Sequence, residues 1–340
     1  MEFLKDKIDS FKQSLDGLHE KNPQLVYTFA AIGLGYVALK VAKDLRGVYQ
    51  YVLRPARDLK QRYGNEWCVI TGASDGIGKG FAFELVKKGM KVVLVGRNQD
   101  KLDTVKQQIE DTYEGAQLKT VQFDFNQQYT EEVIKGLTEK FEEIEKCSIL
   151  INNVGYAEAS KFGLMKDADV HNMINVNITS NTVMAKIFIP KLLANDKRGG
   201  MINIGSSSCS QPFPNLSVYS ASKSYIRQFS NSIHEEYKDK IDILICNTSS
   251  VKSQMNSGRY VGTITPEQHA QGVLDKLGHD RETSGHYIHG IYHYYSVRPI
   301  EGWVLKYINF KRHQDFMKER EIATKAEQEV KADEEIKKEE

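Results

Sequence analysis

The chain has 340 residues, enough for one large α/β domain with appendages or for two modest domains. Its 46 Lys and Arg against 45 Asp and Glu leave a formal net charge of +1, which argues against a nucleic-acid-binding protein. The four cysteines stand far apart without a C-x-x-C pair, a pattern typical of reduced thiols and not of a disulfide framework or a metal site: Cys68, Cys147, Cys209 and Cys246.

The first apolar segment follows a polar, charged stretch at 1–23. Residues 25–39, LVYTFAAIGLGYVAL, contain no charged side chain. As a helix, residues 25–42 would be about 27 Å long, close to the roughly 30 Å of a bilayer core. The sequence therefore predicts a membrane-anchoring helix over 24–42, with a buried or interfacial amphipathic helix as the alternative. The acids and bases that alternate before it argue against a cleaved signal peptide.

Basic residues are more numerous after this segment than before it. Four lysines precede it, whereas seven basic residues follow within a similar length: Lys40, Lys43, Arg46, Arg54, Arg57, Lys60 and Arg62. Because an excess of Lys and Arg favours the cytosolic side of a membrane, the large C-terminal portion is expected to face the cytosol. Residues 43–65 are interpreted as a basic linker to that portion.

From residue 66 the pattern changes to short apolar runs separated by charged, periodic segments. Runs rich in Val, Ile and Leu predict strands at 67–71, 91–95, 118–124, 148–152, 201–205 and 241–246. Segments such as 101–113 and 131–144 between them have the spacing of surface helices. Near-continuous apolar runs are typical of strands buried on both faces of a parallel sheet. The alternation predicts an α/β fold, a Rossmann-type doubly wound parallel sheet, over 66–285.

A glycine-rich stretch, TGASDGIG at 71–78, follows the first predicted strand and opens the next helix. Gly72 allows a tight turn, Gly76 lets the backbone approach a pyrophosphate, and Gly78 permits close packing of the helix on the sheet. The free N–H groups of the helix N-terminus would then point at the anion. The stretch predicts a dinucleotide-binding loop whose cofactor contacts also include Ser74, Asp75 and Ile77.

The end of the second predicted strand indicates which dinucleotide is bound. A protein that selects NAD usually presents an acid there to the ribose 2′-hydroxyl, whereas this chain has Gly96 followed by Arg97. A guanidinium would bind a 2′-phosphate, so NADP(H) is predicted, with a solvated loop charge as the alternative for Arg97. Asp124, which closes the third predicted strand, suits a contact to the adenine amino group or a simple turn.

A later stretch, SVYSASK at 217–223, places Tyr219 four positions before Lys223. Residues four apart share one face of a helix, so the ammonium can come within reach of the phenol oxygen. This stretch and four others occur in an order that resembles the short-chain dehydrogenase/reductase family over about residues 66–260: TGASDGIG at 71–78, NNVG at 152–155, NVNITS with Asn177, GSSS at 205–208, and YSASK at 219–223.

The resemblance implies a catalytic tetrad of Asn177, Ser206, Tyr219 and Lys223. Ser207 is the alternative to Ser206. Reducing a ketone requires a proton donor at the developing alkoxide, and a tyrosine with its ordinary pKa of about 10 is poorly matched to neutral pH. Lys223 is therefore expected to lower the pKa of Tyr219 and to bind the nicotinamide ribose. Ser206 would donate a hydrogen bond to the carbonyl, and Asn177 would hold a water that relays protons.

The resemblance also implies cofactor contacts after the fourth and sixth strands. Asn153 and Gly155 would border the cofactor where the carboxyl ends of the strands open a crevice. The family has a Pro-Gly turn against the nicotinamide after the sixth strand, whereas this chain has Thr248 and Ser249. Whether the altered turn supports activity is left open by the sequence. Ser253 is a further candidate contact to the nicotinamide carboxamide.

Two longer stretches, 71–102 and 148–155, resemble the membrane-bound very-long-chain 3-oxoacyl-CoA reductases and their 17β-hydroxysteroid dehydrogenase relatives. The resemblance implies reduction of a 3-oxoacyl-CoA by NADPH in fatty-acid elongation at the endoplasmic reticulum membrane, with a mitochondrial membrane as the alternative. A 17β-hydroxysteroid dehydrogenase and a non-catalytic subunit of a membrane complex are alternative functions. The expected partners are a hydrophobic ketone (an acyl-CoA or a steroid), the membrane, and a second copy or other subunits.

The C-terminal part differs again in composition. Residues 286–310 are dense in aromatic side chains, which fits a helix packed on the domain or a contact with the membrane interface. Residues 311–340 form a charged tail, either a solvated helix or disordered. Its last residues, KKEE, resemble a dilysine retrieval signal at Lys337 and Lys338, in keeping with a cytosolic orientation.

Overall fold

The computed structural model describes residues 2–210, 213–253 and 262–296. The chain divides into two compact units, Met1–Pro55 and Ala56–Glu340. The aromatic segment 286–310 is described only as far as residue 296. The charged tail and its dilysine motif lie outside the described residues.

The first unit is helical. It comprises α1 (Glu2–Lys21) and α2 (Pro23–Val48), which continues as a π-helical segment, Tyr49–Leu53. Asn22 caps α2 by accepting the N–H of Leu25 at 3.3 Å, and proline at the first helical position favours the start of a helix. The continuous helix Pro23–Leu53 contains the predicted span 24–42 and is long and apolar enough to cross a membrane by length and composition. Its large apolar side chains are exposed and belong to no core of the described chain.

The second unit is built on a parallel seven-stranded sheet in the order β3-β2-β1-β4-β5-β6-β7. The strands are β1 (Trp67–Thr71), β2 (Lys91–Gly96), β3 (Leu118–Gln122), β4 (Cys147–Asn152), β5 (Gly199–Ile204), β6 (Ile241–Cys246) and β7 (Glu282–Thr283). The strand order reverses between β1 and β4, which opens a crevice beyond the carboxyl ends of these strands. This topology confirms the predicted doubly wound fold.

Helices cover both faces of the sheet. The helices of this unit are α3 (Leu59–Tyr63), α4 (Gly76–Lys87), α5 (Gln99–Thr112), α6 (Glu131–Glu139), α7 (Asp167–Ile174), α8 (Ser180–Leu193), α9 (Ser217–Tyr237), α10 (Pro266–Leu274) and α11 (Tyr287–Ser296). Because successive strand residues point to opposite faces, Ile70 and Leu94 pack with α4, α5 and α10. Val69 and Val93 pack with α6, α8 and α9 on the other face. The central strands are therefore buried on both sides.

The structure adds three local features to the sequence prediction. The strand β7 spans two residues, too few to leave an apolar pattern, and pairs in parallel with β6. Helix α3 lies within the predicted linker 43–65, and the second unit begins at Ala56, ahead of residue 66. There Arg62 and Tyr63 both bind the Asp242 carboxylate, at 2.6 and 2.8 Å, so this stretch is fixed to the sheet. Asn177 lies in a π-helical segment, Asn175–Thr179, that joins α7 to α8.

Candidate active site

The shape of the loop between β1 and α4 depends on its glycines, which have no Cβ atom. Gly72 adopts a φ of +65°, in the left-handed region that disfavours residues with a Cβ atom. A Cβ atom at Gly78 would lie 2.2 Å from the Gly72 carbonyl oxygen. The loop therefore passes directly over the first turn of α4, where free backbone N–H groups can receive a phosphate.

Side chains that follow β4 hold this loop in place. The Asn153 amide donates to the carbonyl oxygens of Thr71 and Gly72, at 2.9 and 3.1 Å. The Thr71 hydroxyl in turn accepts the backbone N–H groups of Asn153 and Val154, at 2.9 and 3.0 Å. Asn153 thus supports the phosphate loop through its side chain while it also lines the cavity described below.

Tyr219 and Lys223 lie one turn apart on α9, as the spacing predicts. The Lys223 ammonium lies 5.8 Å from the centre of the Tyr219 ring and donates a 2.9 Å hydrogen bond to the Ile204 carbonyl at the end of β5. Gly155, which follows β4, lies beside the ammonium, since a Cβ atom built on it would be in ordinary van der Waals contact with the Lys223 nitrogen at 3.5 Å. These contacts fix Lys223 at the carboxyl edge of the sheet.

Burial governs the titration of this pair. It lowers the pKa of Lys223 to about 8, since the charged ammonium has lost most of its water. Burial also raises the pKa of Tyr219, and the hydrogen bond with Ser206 offsets only part of this effect. The direction for Tyr219 is opposite to the depression expected from the sequence, because desolvation of the phenolate is the largest influence. At neutral pH the phenol is therefore protonated, the form that can donate a proton.

Ser206 lines the same cavity as Tyr219 and lowers the pKa of that phenol against the effect of burial. Its hydroxyl oxygen accepts both the hydroxyl and the backbone N–H of Ser208, at 3.0 and 3.2 Å. Accepting two hydrogen bonds leaves its own proton to be donated. Ser207 is not part of the described cavity lining, and its backbone N–H donates to the Thr248 carbonyl at 2.9 Å.

Asn177 is buried behind this wall. Its amide oxygen accepts the N–H of Tyr156 at 2.8 Å, while its nitrogen donates to the Tyr156 carbonyl and the Ser222 hydroxyl at 2.9 and 3.0 Å. The side chain therefore ties the loop after Gly155 to α9.

A cavity of about 320 Å³ opens beyond the carboxyl ends of the central strands. Its lining includes most of the predicted site residues: Gly72, Asp75, Gly76, Ile77, Asn153, Gly155, Ser206, Tyr219, Lys223 and Ser253. It also includes Thr248 and Ser249 of the altered turn, and four residues that were not singled out from the sequence: Val154, Ile204, Gly205 and Val251. The phosphate loop and the tyrosine–lysine pair therefore face one common space.

Besides Asn177, four predicted residues do not line this cavity in the described structure. Gly78 lies beneath the phosphate loop, and Ser74 lies beside Gly96 at the end of β2. Arg97 and Asp124 are exposed beyond the ends of β2 and β3. The Asp124 carboxylate accepts the N–H of Asn126 at 2.9 Å, which is the turn role that the sequence left open.

Comparison with known proteins identifies the family. A family model described as short chain dehydrogenase matches residues 66–261. The chain belongs to this family. Among its relatives, the very-long-chain 3-oxoacyl-CoA reductase of Macaca fascicularis is 35% identical over 247 residues, 71% of this chain and 74% of that protein. The inactive hydroxysteroid dehydrogenase-like protein 1 of Homo sapiens is 30% identical over 278 residues, 77% and 82% of the two chains. The branch predicted from the sequence is confirmed.

Solved structures of short-chain dehydrogenases share the fold. A 7β-hydroxysteroid dehydrogenase has a TM-score of 0.63 and 24% identity, and the match covers 74% of this chain and all of that one. A short-chain dehydrogenase from Shigella flexneri, solved with NADP, has a TM-score of 0.58 and 22% identity, with 65% and 95% covered. Both matches cover more of those chains than of this one, in keeping with the additional N-terminal helices here.

Proposed function

We propose that this protein is an NADP(H)-dependent reductase of a hydrophobic ketone, most specifically of a 3-oxoacyl-CoA. The observation that carries the proposal is the convergence of Tyr219, Lys223 and Ser206 on one wall of a cavity whose other wall is the phosphate loop. A proton donor, a cation and a hydroxyl donor beside a dinucleotide site meet the needs of carbonyl reduction. The named activity of the Macaca fascicularis relative supports the choice of substrate.

The cofactor assignment has its own support. The loop with Gly72 and Gly76 forms a cradle of backbone that fits a pyrophosphate, and Arg97 stands exposed beyond β2, where a 2′-phosphate would need a cation. When bound, the dinucleotide supplies the hydride. In the proposed reaction Ser206 donates a hydrogen bond to the substrate carbonyl, and the Tyr219 phenol gives its proton to the developing alkoxide. Lys223 then stabilises the phenolate that remains.

A second candidate is a subunit without catalytic activity. It is motivated by a relative whose name calls it inactive and by the exchange of Pro-Gly for Thr248 and Ser249. The presence of all four tetrad residue types favours the reductase. A 17β-hydroxysteroid dehydrogenase is the second catalytic candidate, since hydroxysteroid dehydrogenase-like proteins are also among the relatives.

For location, we propose the endoplasmic reticulum membrane with the catalytic unit in the cytosol and a mitochondrial membrane as the alternative. The proposal is supported by the apolar helix Pro23–Leu53 and by the excess of basic residues after it. Membrane insertion is tested by extraction with carbonate, which should leave the full-length protein in the membrane fraction.

The proposed activity is tested with the full-length protein in detergent or nanodiscs. NADPH oxidation is followed with 3-oxoacyl-CoAs of increasing chain length and, in parallel, with 17-ketosteroids. We expect turnover of the acyl-CoAs that exceeds turnover of the steroids. If NADPH binds but no ketone of either class is reduced, the reductase proposal is wrong and the non-catalytic subunit is favoured.

A further inference from the structure

One wall of the cavity is formed by the segment that follows β6. Thr248, Ser249, Val251 and Ser253 all line the cavity. A Cβ atom placed on Gly76 would lie 3.0 Å from the Ser253 Cβ, so the far end of the wall touches the phosphate loop. The stretch 248–250 reads Thr-Ser-Ser and contains neither proline nor glycine. Since no ring fixes its backbone angles, its shape depends on surrounding contacts.

The first such contact comes from α10. His269 is fully buried, and its Nε2 lies 3.2 Å from the Thr248 hydroxyl and 3.6 Å from the Cys246 sulfur. The backbone of Gly285 packs against the other side of the ring, where a Cβ atom would lie 2.9 Å from the imidazole. The ring therefore has little freedom to move away from Thr248.

The second contact comes from α11. His289 is buried, and its Nε2 lies 3.2 Å from the Ser250 carbonyl oxygen and 3.3 Å from that of Gly262. Both partners are acceptors, so the proton of the neutral ring is on Nε2. Ser250 and Gly262 stand on either side of residues 251–261 in the chain. One imidazole thus joins the two ends of this segment.

Backbone pairing at the same place extends this connection. The Lys252 N–H donates to the Ile264 carbonyl at 3.0 Å, and the Ile264 N–H donates to the Ser250 carbonyl at 3.3 Å. The hydroxyls of Ser250 and Thr263 lie 2.6 Å apart. The wall is therefore held from behind by polar contacts with α10, α11 and the 262–264 stretch. The two histidines supply the links to the helices.

We propose that His269 and His289 are positioning residues that hold the 248–253 wall in the shape that binds the dinucleotide. Neither is a cavity-lining residue, so their effect acts through Thr248 and Ser250. The inference rests on the proposed function only in naming the dinucleotide as the ligand. Because residues 248–250 include no proline that would restrict the backbone, the two histidines are proposed to keep this turn rigid.

The test compares two substitutions at one position. His289→Leu removes the donor to both carbonyls, whereas His289→Gln keeps an N–H donor at a similar reach. Exposed His171 on α7 provides the control His171→Leu. The dissociation constant of NADPH is measured by fluorescence with the full-length protein, together with KM for NADPH and kcat.

His289→Leu should weaken NADPH binding and raise KM by about tenfold, the size expected for losing one or two net hydrogen bonds, with a much smaller change in kcat. His289→Gln should restore most of the affinity, and His171→Leu should match the wild type. Unchanged NADPH affinity in His289→Leu would overturn the proposal. So would an equal loss in His289→Gln, because the donor would then not be what matters.

A second variant covers the case in which His289→Leu does not fold. Thr248→Val keeps the shape of the side chain and removes the oxygen that faces His269. It should weaken NADPH binding several-fold, and wild-type affinity in this variant would also contradict the proposal. Because binding is measured without a ketone, a wild type that binds NADPH but reduces nothing refutes the proposed activity alone. A wild type that binds no NADPH refutes both proposals.

Discussion

Lys223 lies beside the Tyr219 ring, with its ammonium 5.8 Å from the ring centre and hydrogen-bonded to the Ile204 carbonyl at 2.9 Å. The cation is thus fixed by the sheet near the phenol instead of being carried by a flexible side chain. Burial lowers the pKa of the lysine to about 8 and raises the pKa of the tyrosine, so at neutral pH the lysine is still mostly charged and the phenol is protonated. The pair is arranged for proton transfer, and substitution of each residue should have a different effect.

Tyr219→Phe should abolish most turnover and leave NADPH binding nearly intact. The substitution removes the phenolic proton while it preserves the ring that packs beside Lys223. Loss of a positioned general acid typically reduces kcat by about 10²- to 10⁴-fold. Single-turnover reduction of a 3-oxoacyl-CoA and NADPH fluorescence would be measured in parallel. Turnover at the wild-type rate would contradict the assigned role of the tyrosine.

Lys223→Met should inactivate the protein but stabilise it at neutral pH. Lowering the pKa from 10.5 to about 8 corresponds to about 3 kcal/mol of unfavourable free energy while the lysine is charged, and losing the hydrogen bond to Ile204 offsets about 1 kcal/mol. The free energy of unfolding of the variant should therefore exceed that of the wild type by about 2 kcal/mol at pH 7. Because the pKa of Lys223 is lower in the folded protein, the wild type loses stability as the pH falls from 10.5 through 8. The difference in unfolding free energy between the variant and the wild type should therefore shrink as the pH rises across that window.

Thermal unfolding of the full-length protein at about pH 7 and pH 10 measures this difference. Lys186→Met, at an exposed lysine on α8, controls for the loss of a charge. If Lys223→Met is destabilised at neutral pH by as much as at high pH, burial of the ammonium is not the main influence on its stability.

Gly78→Ala should disrupt the phosphate loop. The added methyl group would lie 2.2 Å from the Gly72 carbonyl oxygen and 2.7 Å from the Asn153 amide nitrogen, so the backbone of the loop must shift. We expect NADPH affinity to fall by more than tenfold and the melting temperature to drop. Gly136→Ala on α6 is the matched control, because apart from the backbone of its own helix and its chain neighbours no atom lies within 4 Å of the new methyl group. That substitution should raise stability by about 0.5–1 kcal/mol. Wild-type NADPH affinity in Gly78→Ala would contradict the assignment of this loop.

Arg97→Ala should raise KM for NADPH and leave KM for NADH almost unchanged. A charge-assisted hydrogen bond to a phosphate is worth about 1.5–3 kcal/mol, or roughly 10- to 100-fold in affinity. The exposed Lys101 on α5 supplies the control Lys101→Ala. Equal changes for both cofactors would show that Arg97 is a solvated loop charge, the alternative left open by its exposure.

The sequence predicts those features of the structure that leave a recognisable pattern in one continuous stretch of residues. The apolar runs at β1, β2 and β4 to β6 predict the sheet because a doubly buried strand must be apolar throughout. The glycine-rich loop and the tyrosine–lysine spacing predict the two walls of the cavity, since both are local patterns. The strand β7 is too short to leave such a pattern. Most of the assigned site roles stay predictions that the substitutions above test.

The contacts behind the 248–253 wall are not encoded in any local pattern. His269 and His289 stand 20 positions apart and reach Thr248 and Ser250 only because the fold brings α10 and α11 next to the segment that follows β6. The raised pKa of Tyr219 is a similar case. Its direction depends on how much water the fold removes from the phenol, which a four-residue spacing does not reveal.

His269 predicts an acid-sensitive fold. Burial is the main cause that lowers its pKa from 6.5 to about 3, and the neighbouring His286 and His289 act in the same direction. A depressed pKa means that the unfolded chain takes up a proton first, so stability is fully present above pH 6.5 and is lost as the pH falls towards 3. Within this window, the proton that the unfolded chain takes up lowers the free energy of unfolding by about 1.4 kcal/mol for each pH unit.

Substituting this histidine isolates its share of the acid sensitivity. His269→Gln does not titrate, so its melting temperature should depend less steeply on pH between about 6 and 4 than that of the wild type. Burial raises the pKa of the Asp242 carboxylate, but its contacts with Arg62 and Tyr63 lower it overall. The acid-sensitive contribution of this group is common to both proteins and cancels in the comparison. Identical pH dependence of the two melting temperatures would mean that the buried imidazole is protonated in the folded protein at mildly acidic pH. In that case the ring would carry a charge beside Thr248, and the wall of the cavity would itself respond to pH.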